Sequence, residues 1–227
     1  MKLFDTHCHF DFDVFQDDFA HQLELAQTQG VARILIPSVG PQNWARIQTL
    51  AEQHANLYYA LGFHPYFLED NVEQHLTELE GYLNQKGQQC MAIGECGLDF
   101  AIDVDPQLQE KILEVQFELA RRFELPVILH SRKAHNRLIQ MVKAANLPRG
   151  GVLHAFSGSY QQAMEWVKLG FFYRCRRNDY LPKSQENTRR NSKITTRKPS
   201  NRNRRTRYAY TWISRGVKSP SQTHSRL

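Results

Sequence analysis

The sequence has no apolar run of about 20 residues, so no transmembrane helix is predicted. Its N-terminus also lacks the basic stretch followed by an apolar stretch that marks a secretory signal peptide. Four cysteines are scattered without a CxxC pair or the spacing of a disulfide framework: Cys8, Cys90, Cys96 and Cys175. The first absence excludes a membrane span, and the cysteine pattern favours a reduced, cytoplasmic protein over a disulfide-stabilised one.

Acidic residues are nearly absent from the last quarter of the chain. Residues 173–227 hold 16 Lys and Arg against Asp179 and Glu186, a balance of +14, although the whole chain carries only +6. Residues 1–172 therefore carry −8. The basic segment also has few aliphatic side chains, and such a composition cannot bury enough apolar surface to offset conformational entropy. We therefore predict a folded unit over residues 1–172 and a disordered basic tail over residues 173–227.

Short apolar runs alternate with longer helical patterns throughout residues 1–172. Seven strands are predicted, near residues 2–5, 32–36, 57–61, 91–94, 126–129, 151–153 and from 170 onward. Such alternation predicts a parallel sheet with right-handed crossovers. Because no dinucleotide-binding fingerprint accompanies the strands, we predict an α/β protein of the (β/α)8 TIM-barrel class. A complete barrel needs about 250 residues and eight strands, so this barrel is expected to lack strand eight.

Two histidines, His7 and His9, directly follow the first predicted strand. On an extended backbone, residues i and i+2 point to the same side, whereas Cys8 points to the other side as a small packed thiol. Two neutral imidazoles that converge on one point are a half-site for a divalent metal such as Zn, Mn or Fe. Alone, this pair is weak evidence, because paired histidines also occur on loops by chance.

Further polar residues lie at the ends of later strands: His64, Glu95, His130 and His154 follow strands three, four, five and six. In a barrel these ends meet at the C-terminal rim, where barrel active sites form. Four histidines and one carboxylate can hold two divalent cations, with the carboxylate as a bridge. Such a centre positions hydroxide and stabilises the charge of a hydrolytic transition state.

Each of these residues also has a structural interpretation when taken alone. His130 or His154 could be a satisfied buried histidine, Glu95 could be a turn acid between two glycines, and His64 before Pro65 could cap a loop. Their shared placement at strand ends favours the metal site. The remaining histidines lack that placement and are assigned to the surface or to helices: His21, His54, His75, His135 and His224.

The sequence resembles the TatD family of metal-dependent deoxyribonucleases, in its YjjV-like branch. Five motifs carry the resemblance, in order: Asp5-Thr6-His7-Cys8-His9, Gly62-Phe63-His64-Pro65, Gly94-Glu95-Cys96-Gly97-Leu98-Asp99, Leu129-His130-Ser131-Arg132 and His154-Ala155-Phe156-Ser157-Gly158. They span about three quarters of the chain. The resemblance implies a (β/α)8 barrel with two divalent cations, whose identity (Zn, Mg or Mn) stays open.

The resemblance also implies roles for individual residues. His7 and His9 would hold the first metal, Glu95 would bridge, and His130 and His154 would hold the second metal. His64 would lie near the substrate phosphate. The implied chemistry is hydrolysis of a phosphodiester by metal-activated hydroxide, with DNA or a smaller phosphoester or amide as substrate. The chain is expected to be monomeric and to have no membrane partner.

The resemblance ends at Phe172. Family members carry a strand-eight motif resembling Glu-Thr-Asp-Ala-Pro, whose Asp binds the first metal and accepts a proton, and no such motif occurs here, so the catalytic residue is unknown. Read one base later, the codons of residues 173–180 are compatible with Ile-Gly-Val-Gly-Gly-Thr-Ile-Thr, and those of residues 202–209 with Glu-Thr-Asp-Ala-Pro-Asp-Met-Pro, with third bases chosen freely. We therefore hypothesise a frameshift near codon 172 or 173.

A competing hypothesis makes the tail a genuine nucleic-acid arm. Its basic blocks could neutralise phosphates, and five aromatic residues could stack on bases: Tyr173, Tyr180, Tyr208, Tyr210 and Trp212. Without strand eight the sheet would keep two open edges, so weak stability and low activity are expected. The alternatives to an active hydrolase are therefore an inactive truncated pseudoenzyme and a non-catalytic basic DNA-binding polypeptide.

Overall fold

Strands and helices alternate in the computed structural model, which describes residues 2–68 and 72–175. The strands within these residues are β1 (Leu3–Asp5), β2 (Val31–Pro37), β3 (Leu57–Leu61), β4 (Cys90–Asp99), β5 (Val127–Arg132), β6 (Gly151–Phe156) and β7 (Phe171–Cys175). The helices there are α1 (Phe19–Thr28), α2 (Pro41–Gln53), α3 (Val72–Asn84), α4 (Pro106–Arg122), α5 (His135–Ala145) and α6 (Tyr160–Lys168). Short 3-10 helices cover Asp13–Asp18 and Pro65–Phe67.

The seven strands form one sheet in sequence order, and every neighbouring pair is parallel. This confirms the predicted succession of β-strand, helix and parallel β-strand. Among the described residues, β1 and β7 are the two edges of the sheet. Strand β7 continues past Phe172 to Cys175, whereas residues 176–227, and with them most of the predicted disordered tail, lie outside the described residues.

The two faces of the sheet bury different sets of side chains. The larger apolar cluster, on the outer face of the sheet, joins the helices to alternate strand positions such as Ile34, Ile36 and Leu129. The inner face holds a smaller cluster, in which Leu35 and Ile128 are buried and Val152 packs against them. Because strand side chains alternate, the residues two positions beyond Ile128 and Val152 lie on this same inner face. Those residues are His130 and His154.

Helix α4 shows how the sequence sets an element's start and its buried face. Asp105 caps the helix by accepting a hydrogen bond from the Gln107 N–H at 3.0 Å, and Pro106 occupies the first turn, as predicted. Ile112 and Phe117 are among the side chains that it buries against the sheet. The helix also buries two glutamines, Gln109 and Gln116, which the apolar pattern did not predict.

Strand β4 is longer than predicted and contains an irregularity. The predicted strand stops at Gly94, but β4 runs to Asp99, with a shift of register between Ile93 and Cys96. Gly94 and Gly97 have φ of 147° and 142°, a region that favours glycine, which explains how the strand accommodates the shift. No helix in the described part of the chain is long and apolar enough to cross a membrane.

Candidate metal centre

The buried carboxylate of Glu95 lies among four of the predicted histidines at one end of the sheet. Its Oε2 is 3.1 Å from His7 Nε2 and 3.8 Å from His9 Nε2. Its Oε1 is 3.3 Å from His130 Nδ1 and 3.8 Å from His64 Nε2. Each oxygen therefore faces its own pair of imidazoles. The glutamate side chain is 3% exposed, so water contributes little to its solvation.

The register shift in β4 explains why Glu95 faces inward. Ala92 belongs to the inner cluster, and strict alternation would place residue 95 on the outer face with Ile93. The shift between Ile93 and Cys96 inserts one position, so that Cys96 returns to the outer cluster and Glu95 points inward. The same change of phase places Asp99 on the inner face.

The histidine pair after β1 has the arrangement that the sequence predicts. The rings of His7 and His9 meet edge to face, with centroids 5.1 Å apart. Cys8 packs instead against the larger cluster, and its N–H donates to the carbonyl of Leu35 at 3.1 Å. Burial lowers the pKa of His9, and the neighbouring His7 lowers it further. A neutral imidazole is the form that binds a metal.

His64 combines the structural role and the site role that the sequence left open. Its Nδ1 accepts a hydrogen bond from the Tyr66 N–H at 3.1 Å, which caps the 3-10 helix after β3. Its Nε2 remains directed at Glu95. Burial lowers the pKa of His64 to about 4, against the opposing attraction of Glu95, so the ring is neutral at pH 7.

His130 lies between two carboxylates. Its Nδ1 faces Glu95, and its Nε2 is 3.2 Å from Asp99 Oδ2. Burial lowers the pKa of His130, but contact with Glu95 and Asp99 outweighs burial and the pKa is raised. Burial likewise opposes the charge of Glu95, but the attraction of His7 and His130 holds the pKa of Glu95 well below its usual value.

His154 lies beside the first pair of histidines. Its ring stacks on His7 with centroids 3.6 Å apart and an interplanar angle of 14°. It is close enough to Glu95 to lower the pKa of that carboxyl. The structure thus brings all six predicted residues to one site: His7, His9, His64, Glu95, His130 and His154.

The donor atoms suit divalent cations. Two groups of ligand atoms each lie within 4.8 Å of one another, His7 with His9 and Glu95, and His64 with Glu95 and His130. Among the described residues, the buried Glu95 Oε1 has no hydrogen-bond donor in good geometry, and a cation would satisfy it. Imidazole and carboxylate together suit Zn, Mn and Fe. The residues present therefore fit a metal centre, and Glu95 belongs to both groups of ligand atoms.

Asp11 and Asn43 belong to the neighbourhood of the site but were not predicted from the sequence. Asp11 is 3% exposed, and its Oδ2 accepts a hydrogen bond from Asn43 Nδ2 at 2.9 Å. Asn43 Oδ1 also accepts from the Val39 N–H at 3.2 Å, so helix α2 connects the segment after β2 to the segment after His9. The spacing of Asp11 two residues beyond His9 was the available signal.

Comparison with known proteins relates this chain to metal-dependent hydrolases. The family model for TatD-related DNases matches residues 4–196. The metal-dependent hydrolase YjjV of Escherichia coli K12, itself uncharacterized, is 45% identical over 172 residues, which are 75% of this chain and 66% of that protein. The 3'-5' ssDNA/RNA exonuclease TatD of Rahnella sp. Y9602 is 34% identical over 163 residues, 69% of this chain and 60% of that protein.

Solved structures show the same fold. The crystal structure of E. coli YjjV, a TatD homologue, matches with a TM-score of 0.72 and 44% identity, over 75% of this chain and 66% of that one. A TatD-family hydrolase from Entamoeba histolytica matches with a TM-score of 0.74 and 21% identity, over 83% of this chain and 69% of that one. The predicted TIM-barrel class is thereby confirmed. The chain spans about two thirds of the length of its relatives, and with most of its residues matched by the family model, it belongs to the TatD-related DNase family.

Proposed function

We propose that the protein is a metal-dependent hydrolase that cleaves phosphodiester bonds in nucleic acid. The observation that carries the proposal is Glu95, a buried carboxylate whose two oxygens each face a different pair of imidazoles. A carboxylate shared in this way is the usual bridge of a two-metal hydrolytic centre. The exonuclease activity named for the Rahnella relative supports nucleic acid as the substrate class.

The proposal assigns each residue a task. His7 and His9 would hold the first cation, His130 and His154 would hold the second, and Glu95 would be a ligand of both. When bound, the cations supply a nucleophilic water at neutral pH and neutralise charge that develops on the phosphoryl oxygens. His64, neutral at pH 7, orients the substrate phosphate by donating a hydrogen bond. Mg, Mn and Zn are the candidate metals.

The assignment of His154 to the second metal can be tested against His64. The ligand atom of His64 lies close to those of Glu95 and His130, so His64 is the competing ligand for that metal. We expect His154→Ala to lose one bound metal and His64→Ala to keep both while kcat/KM falls. Metal stoichiometry by calorimetry and turnover on a labelled single-stranded oligonucleotide measure the two effects. The reverse pattern would assign His64 to the second metal. His21→Ala, an exposed histidine on α1, is the control and should change neither quantity.

Turnover with added Mg2+ or Mn2+ tests the hydrolase assignment itself. The full chain is assayed on single-stranded DNA and on bis(p-nitrophenyl) phosphate, and Glu95→Gln should abolish activity on both. Cleavage of the small ester alone would move the substrate class to smaller phosphoesters or amides. We further propose a monomer that acts in the cytoplasm, in keeping with Cys90 and Cys96, which form no disulfide.

The charge of residues 173–227 supports a second candidate, a non-catalytic DNA-binding polypeptide. The net charge of +14 on this segment attracts the phosphates of DNA whatever the DNA sequence, and this attraction weakens steeply as the salt concentration rises. Binding that is salt-dependent, insensitive to Glu95→Gln and abolished by deletion of residues 173–227 would support this candidate. We also propose that this segment is translated out of frame, and sequencing the gene together with close relatives tests that directly.

A further inference from the structure

The partly buried contact between Asp99 and His130 is not explained by the metal centre alone. Asp99 Oδ2 lies 3.2 Å from His130 Nε2, on the side of the ring away from Glu95. We propose that Asp99 is a positioning residue: it accepts the Nε2 proton of His130 and thereby presents Nδ1 to the second metal. This inference rests on the proposed function, because it assigns His130 to that metal.

The backbone places the ring between the two acids. Gly97 pairs with His130 across the strands, and Glu95 and Asp99 lie two positions before and two positions after Gly97. All three share the inner face of β4. A Cβ at Gly97 would lie 2.1 Å from the His130 carbonyl oxygen, so only glycine permits this approach of β4 to β5. The two carboxylates therefore flank the imidazole from opposite ends.

Hydrogen bonds hold both the backbone and the side chain of Asp99 in position. Its N–H donates to Gln109 Oε1 at 2.8 Å, and its carbonyl accepts from Gln109 Nε2 at 3.0 Å. Its Oδ1 accepts from the Ala101 N–H at 2.9 Å, which leaves Oδ2 directed at His130. Arg132 Nη1 approaches the same oxygen only to 3.8 Å. The Asp99 side chain is 4% exposed, so this geometry is shielded from water.

A carboxylate in this position has a recognised physical effect on a metal ligand. A histidine that binds a metal through one nitrogen commonly donates its other N–H to a carboxylate, which fixes the tautomer and raises the basicity of the ligating nitrogen. Loss of such a partner typically lowers metal affinity about 10- to 100-fold. Here the effect should fall on the metal held by His130, because Asp99 Oδ2 faces that ring.

Metal titration of the full chain tests the assignment. Asp99→Ala and Asp99→Asn are titrated with Zn2+ and with Mn2+ by calorimetry. We expect Asp99→Ala to weaken one of two binding events about 10- to 100-fold and to leave the other unchanged. Asp99→Asn should fall between Ala and wild type, because its amide oxygen can still accept the Nε2 proton. The control is Asp105→Asn, an exposed acid that likewise accepts a backbone N–H and should bind as wild type.

The outcomes separate the possibilities. If Asp99→Ala binds both metals with wild-type affinity, the inference is overturned and the proposed function stands. If both metal affinities fall equally, Asp99 has a general structural role, and the inference is again overturned. No metal uptake by the wild-type chain overturns the proposed function and this inference together.

An independent measurement needs no variant: long-range 1H–15N spectra of the Zn-loaded protein should show the His130 proton on Nε2, and a proton on Nδ1 would contradict the proposal.

Discussion

Gln116 holds the backbone of Phe63 by both of its polar groups. The Phe63 N–H donates to Gln116 Oε1 at 2.8 Å, and Gln116 Nε2 donates to the Phe63 carbonyl at 3.4 Å. Gln109, two turns earlier on α4, makes the same pair of bonds with the backbone of Asp99. One face of a single helix thus fixes the segment that carries His64 and the residue that contacts His130.

Replacement of Gln116 measures how much its side-chain amide contributes to the stability of the protein. We expect Gln116→Leu to lower the free energy of unfolding by about 1–3 kcal/mol, because it leaves the buried Phe63 N–H and carbonyl without partners. Urea unfolding followed by circular dichroism measures this value. The control is Gln107→Leu, the same change at an exposed position of α4, which should stay within about 0.5 kcal/mol of wild type. Equal effects at both positions would show that the buried pairing contributes nothing.

Gly97 should be intolerant of any side chain. Its φ of 142° and the 2.1 Å approach of a Cβ to the His130 carbonyl oxygen predict that Gly97→Ala destabilises the protein by about 3 kcal/mol or more. Metal binding should weaken as well, because β4 must move away from β5. The matched change Gly81→Ala lies on α3, where a Cβ meets nothing within 4 Å, and should stabilise by roughly 0.5–1 kcal/mol. A wild-type melting curve for Gly97→Ala would contradict the close approach.

The order of the elements and the gathering of polar residues at one end of the sheet could be predicted from the sequence, because both follow from the positions of the strands. Alternation of strands and helices predicts the parallel sheet, and polar residues at strand ends predict the cluster around Glu95. The phase of β4 could not be predicted, since the inward position of Glu95 and Asp99 depends on a register shift between Ile93 and Cys96. The burial of Gln109 and Gln116 was missed for another reason. Their partners, Asp99 and Phe63, lie elsewhere in the sequence, and helix periodicity does not predict which residues they contact.

Metal binding should stabilise the fold through Glu95. At a concentration about 100 times its Kd, a cation that binds only the folded state adds about 2.7 kcal/mol. For a chain of this size we therefore expect Mn2+ to raise Tm by roughly 5–10 °C. Glu95→Gln should remove that increment, whereas His21→Ala should retain it. Differential scanning fluorimetry with and without a chelator measures both, and an equal Mn2+ increment in Glu95→Gln would remove Glu95 from the metal site.

The buried thiols provide a test of folding in the full chain. Burial raises the pKa of Cys90 to about 12 and also raises the pKa of Cys96. At pH 8 roughly one Cys90 thiol in ten thousand is then ionised, and the thiolate is the reactive form. We expect iodoacetamide to leave Cys90 and Cys96 unmodified in the native protein and to label both in urea, as judged by peptide mapping. Rapid labelling without urea would show that the β4 region opens readily.

Restoration of the hypothesised frame should complete both the sheet and the first metal site. In the described residues β1 and β7 are the edges of the sheet, and a strand added between them would pair with both edges. A protein that carries the shifted translation from residue 173 onward would contain Glu-Thr-Asp-Ala-Pro. We expect it to melt at a higher temperature, to bind the metal at His7 and His9 more tightly and to hydrolyse single-stranded DNA faster. It should also lose the salt-dependent DNA binding contributed by the +14 segment.

Equal stability, metal affinity and turnover in the two proteins would contradict the frameshift hypothesis, and inactivity of both with full metal occupancy would instead contradict the nuclease assignment.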